Sequence, residues 1–188
     1  MSLPLPPAPA KLVIGLITTD GFSMDTLAKR LMERCGEIDM VSPWYDFSYT
    51  HYYEKEMGTL LKRRFIAFKP LIAQESLADI KIATNEIETA FSAGYRRQVN
   101  LDPGYLLLER FVLATGKNFS HRIYLKEGIY ADLTLIYSKG AFQLLPWTYP
   151  DYQSKEVQLF LTKVRKKYEW DLKKQQTSAR CGDLEINQ

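Results

Sequence analysis

Arg, His, Asp, Asn and Tyr crowd into three short segments of this 188-residue chain. They are Arg97-Gln98-Val99-Asn100-Leu101-Asp102-Pro103-Gly104-Tyr105, Ser120-His121-Arg122-Ile123-Tyr124 and Pro146-Trp147-Thr148-Tyr149-Pro150-Asp151-Tyr152. Turn residues punctuate them, which is how a polar site is usually mounted on a folded scaffold. His121 belongs to the residue type that titrates nearest neutrality, and Asp132 is a carboxylate, so these two are the acid/base candidates. Guanidinium groups grip phosphate and carboxylate bidentately, which makes Arg122, with one of Arg63 or Arg64, the candidate anion ligands. Neighbouring residues of a strand point to opposite faces, so at most one of Arg63 and Arg64 enters a shared site.

The spacing around Lys126-Glu127-Gly128 predicts a hairpin with a three-residue loop, Gly128 taking the left-handed conformation and residue 125 facing 129. That register sets Tyr124 opposite Tyr130 and Arg122 opposite Asp132 on one face, with Thr134 next in line. Ile123, Leu125, Ile129, Ala131, Leu133 and Leu135 fall on the other face and are expected in the core. The polar face reads equally as a ligand platform and as cross-strand pairs that stabilise by roughly 0.2–1 kcal/mol each. His121 then lies on the core side or at the strand's start, on a different face from Asp132.

Asp102-Pro103-Gly104-Tyr105 reads first as a helix start, with Asp102 as N-cap, Pro103 in the first turn and a short apolar helix over 103–115. The same geometry would offer free backbone N–H groups to an anion, with Gly104 allowing close approach and Tyr105 beside it. Asn100 and Arg97 become the better ligand contacts if Asp102 caps its own helix. A basic cluster at Lys163, Arg165, Lys166, Lys167, Lys173 and Lys174 suits the C-terminal part of the last helix. His51 and His121 have no partners at metal-ligand spacing and no metal site is expected. Thr115-Gly116-Lys117-Asn118 and Gly15 to Gly21 lack the full phosphate-loop pattern, and no dinucleotide or nucleophile-elbow motif occurs. No cofactor is evident; Mg²⁺ enters only in company with a nucleotide.

The elements that must position these residues follow from hydrophobic periodicity. Leu12 to Ile17 is a continuous apolar run, a buried strand. Ser23 precedes a helix bearing Met24, Leu27, Ala28, Leu31 and Cys35, stopped by Gly36. Ile38 to Phe47 is extended with Pro43 at an edge or bulge, Arg63 to Ile72 is a strand, Ser76 to Gly94 the best helix, and 99–101 a short strand. The order strand–helix–strand–strand–helix–strand predicts an α+β fold with a ferredoxin-like split β-α-β core. A β-meander (119–145) and a C-terminal helix follow. Residues 1–10 are expected to form a flexible proline-rich arm, 11–172 a single domain and 173–188 a disordered polar tail.

With Lys+Arg 25 against Asp+Glu 22, the net charge of +3 is too mild to argue nucleic-acid binding by itself. Two cysteines give no disulfide framework. No apolar run reaches the roughly 18 residues of a membrane helix and the N-terminus is not a signal peptide, so a cytoplasmic location without membrane contact is expected.

The quoted segments, with Tyr52-Tyr53-Glu54-Lys55-Glu56-Met57-Gly58, Arg63-Arg64-Phe65 and Gly128-Ile129-Tyr130-Ala131, resemble a family of uncharacterised prokaryotic proteins with an internal Asp-Pro-Gly-Tyr motif. The resemblance spans residues 11–170. Where that family's pattern has Glu, this chain has Asp132, which keeps the carboxylate and shortens its reach. Some members carry a GTP-binding label. The resemblance implies a shared surface and leaves its ligand unnamed. The reading from the residues is a protein that binds an anionic or phosphorylated small molecule, a nucleotide among the options, through Arg122, one of Arg63 or Arg64, Tyr124 and Tyr130. RNA stacked on exposed Tyr and Arg of a sheet is the second option, and a protein-interaction domain the third.

Overall fold

The computed structural model describes residues 1–19, 21–50, 52–94 and 96–185, with the backbone alone for 176–185. His51 and the last three residues of the expected tail lie outside the described residues. The elements are β1 (Ala10–Thr18), α1 (Met24–Cys35), β2 (Ile38–Val41), β3 (Tyr45–Phe47), α2 (Glu54–Met57), β4 (Leu61–Ile72), α3 (Leu77–Ala90), β5 (Ser92–Ala93), β6 (Arg96–Arg97), β7 (Val99–Leu106), β8 (Arg110–Thr115), β9 (Arg122–Lys126), β10 (Ile129–Ser138), β11 (Ala141–Leu144) and α4 (Lys155–Glu185). The fold is α+β. Nine strands form one antiparallel sheet in the order β11-β10-β8-β7-β1-β4-β2, with β3 also on β4 and β9 also on β10.

All nine residues of β1 are buried, because the run Leu12 to Ile17 is covered on both faces. Leu12, Ile14 and Leu16 pack with Leu27 and Leu31 of α1 and Ile87 of α3. Val13 belongs to the opposite layer, with Val157, Leu161 and Val164 of α4. Each outer edge of the sheet consists of two short strands in tandem: β2 and β3 along β4, β9 and β11 along β10. Pro43 lies at the first break, and Ser42 bridges it. The Ser42 N–H donates to the Phe65 carbonyl at 2.9 Å, and its Oγ accepts from the Phe65 N–H at 3.0 Å.

The structure corrects the sequence reading at three points. Residues 103–115 are not a helix. β7 continues through Pro103 to Leu106 and turns at 107–109 into β8, the Leu107 N–H donating to the Arg110 carbonyl at 2.9 Å. A short apolar run cannot be assigned by periodicity alone. Pro103 is tolerated where β7 is flanked by β1 alone, since pairing with β8 begins at Gly104.

The β9–β10 turn has two residues, Glu127 and Gly128, both at positive φ, with Lys126 opposite Ile129. A register shift between Ile129 and Tyr130 then restores the expected pairs Tyr124–Tyr130 and Arg122–Asp132. Ile123 and Leu125 are exposed rather than in the core, because β9 is an edge strand that no helix covers. Helix α4 runs from Lys155 to Glu185, across the boundary at 172 expected from the sequence. That stretch has no proline, so a helix already nucleated on the core can continue through it.

The meander belongs to the main sheet, joined to it through β8–β10 pairing.

Candidate functional site

Arg63 organises the site, and Gly15 makes room for it. A Cβ on Gly15 would lie 2.7 Å from Arg63 Nη2, so the guanidinium crosses β1 where that strand has no side chain. Gly15 is the register partner of Asp102 on β7, and the guanidinium passes over the glycine to meet it. Nη1 donates to Asp102 Oδ2 at 2.9 Å and Nη2 to the Tyr152 hydroxyl at 2.9 Å, with Asp151 Oδ2 3.1 Å from Nη2. The Phe65 and Tyr152 rings flank the guanidinium carbon at 4.8 and 5.3 Å. Arg63 is only 2% exposed.

Burial and pairing pull the ionisable groups in different directions. Burial alone would lower the Arg63 pKa, yet Asp151, Tyr152 and Asp102 together raise it. Asp102 would rise on burial, but Arg63 and Lys81 outweigh that and hold its carboxyl below the ordinary range. Asp151 is raised, since its burial exceeds what Arg63 returns. Burial pushes the Tyr152 hydroxyl well above its usual value. Two carboxylates thus share one guanidinium and differ in proton affinity.

Helix α3 supplies a second polar layer, with Lys81, Thr84 and Glu88 buried at helical spacing. Lys81 Nζ donates to the Leu101 carbonyl at 2.6 Å, and the Leu101 N–H donates to Glu88 Oε1 at 2.6 Å. Glu88 Oε2 accepts from Arg97 Nη1 at 3.1 Å, and the same nitrogen reaches Asn100 Oδ1 at 3.0 Å. Arg97 Nε donates to Glu56 Oε2 at 2.7 Å.

Arg63, Asp102, Asp151, Tyr152, Lys81, Glu88, Arg97 and Asn100 line a cavity of about 770 Å³. Tyr49, Tyr52 and Tyr53 line it as well, as do the β8 end from Leu113 to Lys117 and Tyr149 to Tyr152 ahead of α4. Lys117 lies over the Tyr52 ring, 4.0 Å from its centroid.

Arg122 braces two of those walls. Its Nη2 donates to the Tyr149 hydroxyl at 2.6 Å, its Nη1 to the Lys117 carbonyl at 2.8 Å and its Nε to Asp132 Oδ2 at 2.9 Å. His121 stands at the start of β9 rather than on the core face. Its Nε2 is 3.2 Å from the same Asp132 oxygen, and its ring stacks on Trp147 at 4.7 Å. The expected separation of His121 from Asp132 is therefore overturned, because the residue before a strand is not bound by the strand's alternation.

Of the residues singled out from sequence as ligand contacts, the cavity gathers Arg63, Arg97, Asn100 and Asp102. Arg122, Asp132 and His121 stand behind its wall. Arg64 takes the opposite direction from Arg63, as alternation requires, and stacks on Trp44 at 4.1 Å. Tyr105 packs with Leu77, Ala78 and Val112. Gly104 admits protein instead of a ligand: a Cβ there would meet the Val112 carbonyl at 2.6 Å and Leu113 at 2.9 Å. Tyr124 and Tyr130 form an edge-to-face pair at 5.4 Å outside the cavity. Sequence reasoning missed Lys81 and Glu88, whose signal is two charges on the buried stripe of α3. It also set Lys117 aside with an incomplete phosphate loop. Among the described residues there is no group of three or more His, Cys, Asp or Glu that could hold a metal ion, and no helix is long and apolar enough to cross a membrane.

The fold and the cavity define an α+β protein with a polar, tyrosine-walled cavity beside a buried Arg–Asp–Asp cluster. The chain belongs to the domain-of-unknown-function family DUF4416, whose model matches residues 8–168. No curated protein and no solved structure matches it.

Proposed function

We propose that this protein binds a small anionic molecule, a phosphorylated metabolite or nucleotide, in the cavity bounded by Tyr49–Tyr53, Lys117 and Tyr149. The observation that carries this reading is Lys117. Among the described residues, four cations line the cavity, Arg63, Lys81, Arg97 and Lys117, against three carboxylates, Glu88, Asp102 and Asp151. Each carboxylate is engaged internally: Asp102 and Asp151 by Arg63, Glu88 by Arg97 and the Leu101 N–H. Lys117 is exposed, has no carboxylate partner among the described residues and lies over Tyr52 beside Gly116, around which a Cβ would meet nothing within 4 Å. A cation, an open backbone and tyrosine rings suit a ligand with an anionic end and an uncharged body. In this reading Arg122, held by Asp132, which His121 also meets, sets the positions of Tyr149 and Lys117 and does not touch the ligand.

The test is thermal shift against orthophosphate, sugar phosphates, nucleotides and short RNAs, with and without Mg²⁺, on wild type, Lys117→Ala and Tyr52→Ala. A ligand at about 100 times its dissociation constant adds roughly 2.7 kcal/mol, several degrees for a domain this size. A shift from small anions that both variants lose is the expected result; no shift from any of them overturns the reading. A second reading, contact with RNA, draws on β9, where Ile123 and Tyr124 are 69% and 57% exposed. A shift from RNA alone, falling steeply with salt, would favour it.

A further inference from the structure

At the buried end of the same cavity, one donor and one acceptor stand side by side without partners of their own. Asn100 is 5% exposed. Its Oδ1 accepts from Arg97 Nη1 at 3.0 Å, and a guanidinium can only donate, so the amide cannot be turned the other way. Its Nδ2 is consequently a buried donor, and it completes no hydrogen bond. Buried donors are seldom left so, because the lost hydration is not replaced.

Asp102 stands two residues along β7, on the same face. Its Oδ2 takes Arg63 Nη1, while its Oδ1 accepts no bond from the described residues and the side chain keeps 27% of its surface exposed. The Asn100 side chain adds to Arg63 and Lys81 in holding Asp102 ionised.

A carbonyl on a ligand would satisfy Asn100 and be repelled by Asp102. An ammonium would satisfy Asp102 and leave Asn100 unpaired. A hydroxyl accepts from one and donates to the other at once. Tyr49, Tyr53 and Tyr149 give the surrounding walls the flat apolar area that packs against the C–H faces of a polyol.

We propose that the ligand is a phosphorylated polyol, whose hydroxyl accepts from Asn100 Nδ2 and donates to Asp102 while its phosphate lies at Lys117. This rests on the anion-binding reading above and narrows it. A free sugar phosphate and the ribose of a nucleotide present the same chemistry.

The test is calorimetric titration of the full chain with ribose 5-phosphate, glucose 6-phosphate, a nucleoside monophosphate, its 2′,3′-dideoxy analogue, phenyl phosphate and orthophosphate. Ligands bearing hydroxyls are expected to bind at least tenfold tighter than phenyl phosphate. In Asn100→Leu the ratio of ribose 5-phosphate to phenyl phosphate affinity falls to about one. Should this variant not fold, the ligand series on the unaltered protein still decides. A preference for the ribonucleotide over its dideoxy analogue identifies the ribose as the source, and a preference for the sugar phosphates identifies a free sugar. Equal affinity for phenyl phosphate and ribose 5-phosphate overturns the polyol and leaves the anion reading standing. No binding of any member, orthophosphate included, overturns the anion reading itself, and the polyol with it.

Discussion

Arg63 keeps its charge in the core because two carboxylates and a phenol surround it, and breaking such a cluster from one side is costly. Asp102 is the member whose contribution depends most plainly on pH. Its folded pKa is depressed, so its stabilisation is present above its ordinary value of 3.8 and is lost as pH falls through the lower folded value. Asp151 has the opposite sign: its raised pKa adds stability at low pH that is lost as pH rises through the folded value, which tempers the acid loss. For Asp102→Asn, urea unfolding near neutrality is expected to show a loss of about 1.5–3 kcal/mol, the range for a hydrogen bond to a charged group. The gap to wild type narrows on acidification below about pH 4. A gap that stays constant to pH 2 would refute the assignment.

At the scale of elements, the notable device is the attachment of α4 to the sheet. Lys11, fully buried on β1, pairs with Asp39 near β2's start at 2.5 Å and with Asp171 on α4 at 2.8 Å. Lys167 also reaches both carboxylates, and the Tyr168 hydroxyl donates to the Pro9 carbonyl at 2.6 Å. Removing one partner of a buried pair commonly costs 3–5 kcal/mol. Because Lys167 stays to face both Asp residues, Lys11→Met is expected to cost less, about 1–3 kcal/mol, with Lys11→Met/Lys167→Met losing more than the sum of the singles in a double-mutant cycle. Strict additivity would show that the two lysines do not substitute for one another.

For the whole molecule, the sheet is most stable at its middle and least at its ends. β1 has a paired strand on each side and a packed layer on each face, whereas β9 is a five-residue edge strand with exposed Ile123, Tyr124 and Leu125. Amide exchange should follow that order. Amides of β1 and of the adjoining parts of β4 and β7 are expected to exchange only through global unfolding, and those of β9 through local opening at far lower free energy. Equal protection of β9 and β1, measured on the isolated protein, would mean that a partner or a second copy covers the edge.

What the sequence by itself determined is local. The apolar run of β1, the helix ended by Gly36, the pairing of Arg122 with Asp132 and the opposite directions of Arg63 and Arg64 all follow from periods of 2 and 3.6 and from turn residues. Those signals reach across a few residues, and they failed where a run was short enough to suit either period, as at 103–115. The site was decided by tertiary structure. Nothing within a few positions of Gly15 says that an arginine 48 residues away will lie across it, or that Asp151 will close the cluster from beyond the last strand. Lys81 and Glu88 join the site only because α3 packs on β7, whose Leu101 carbonyl and N–H they engage. Charges become a site only when distant strands bring them together away from water, and that proximity is a property of the sheet order, which no local pattern encodes.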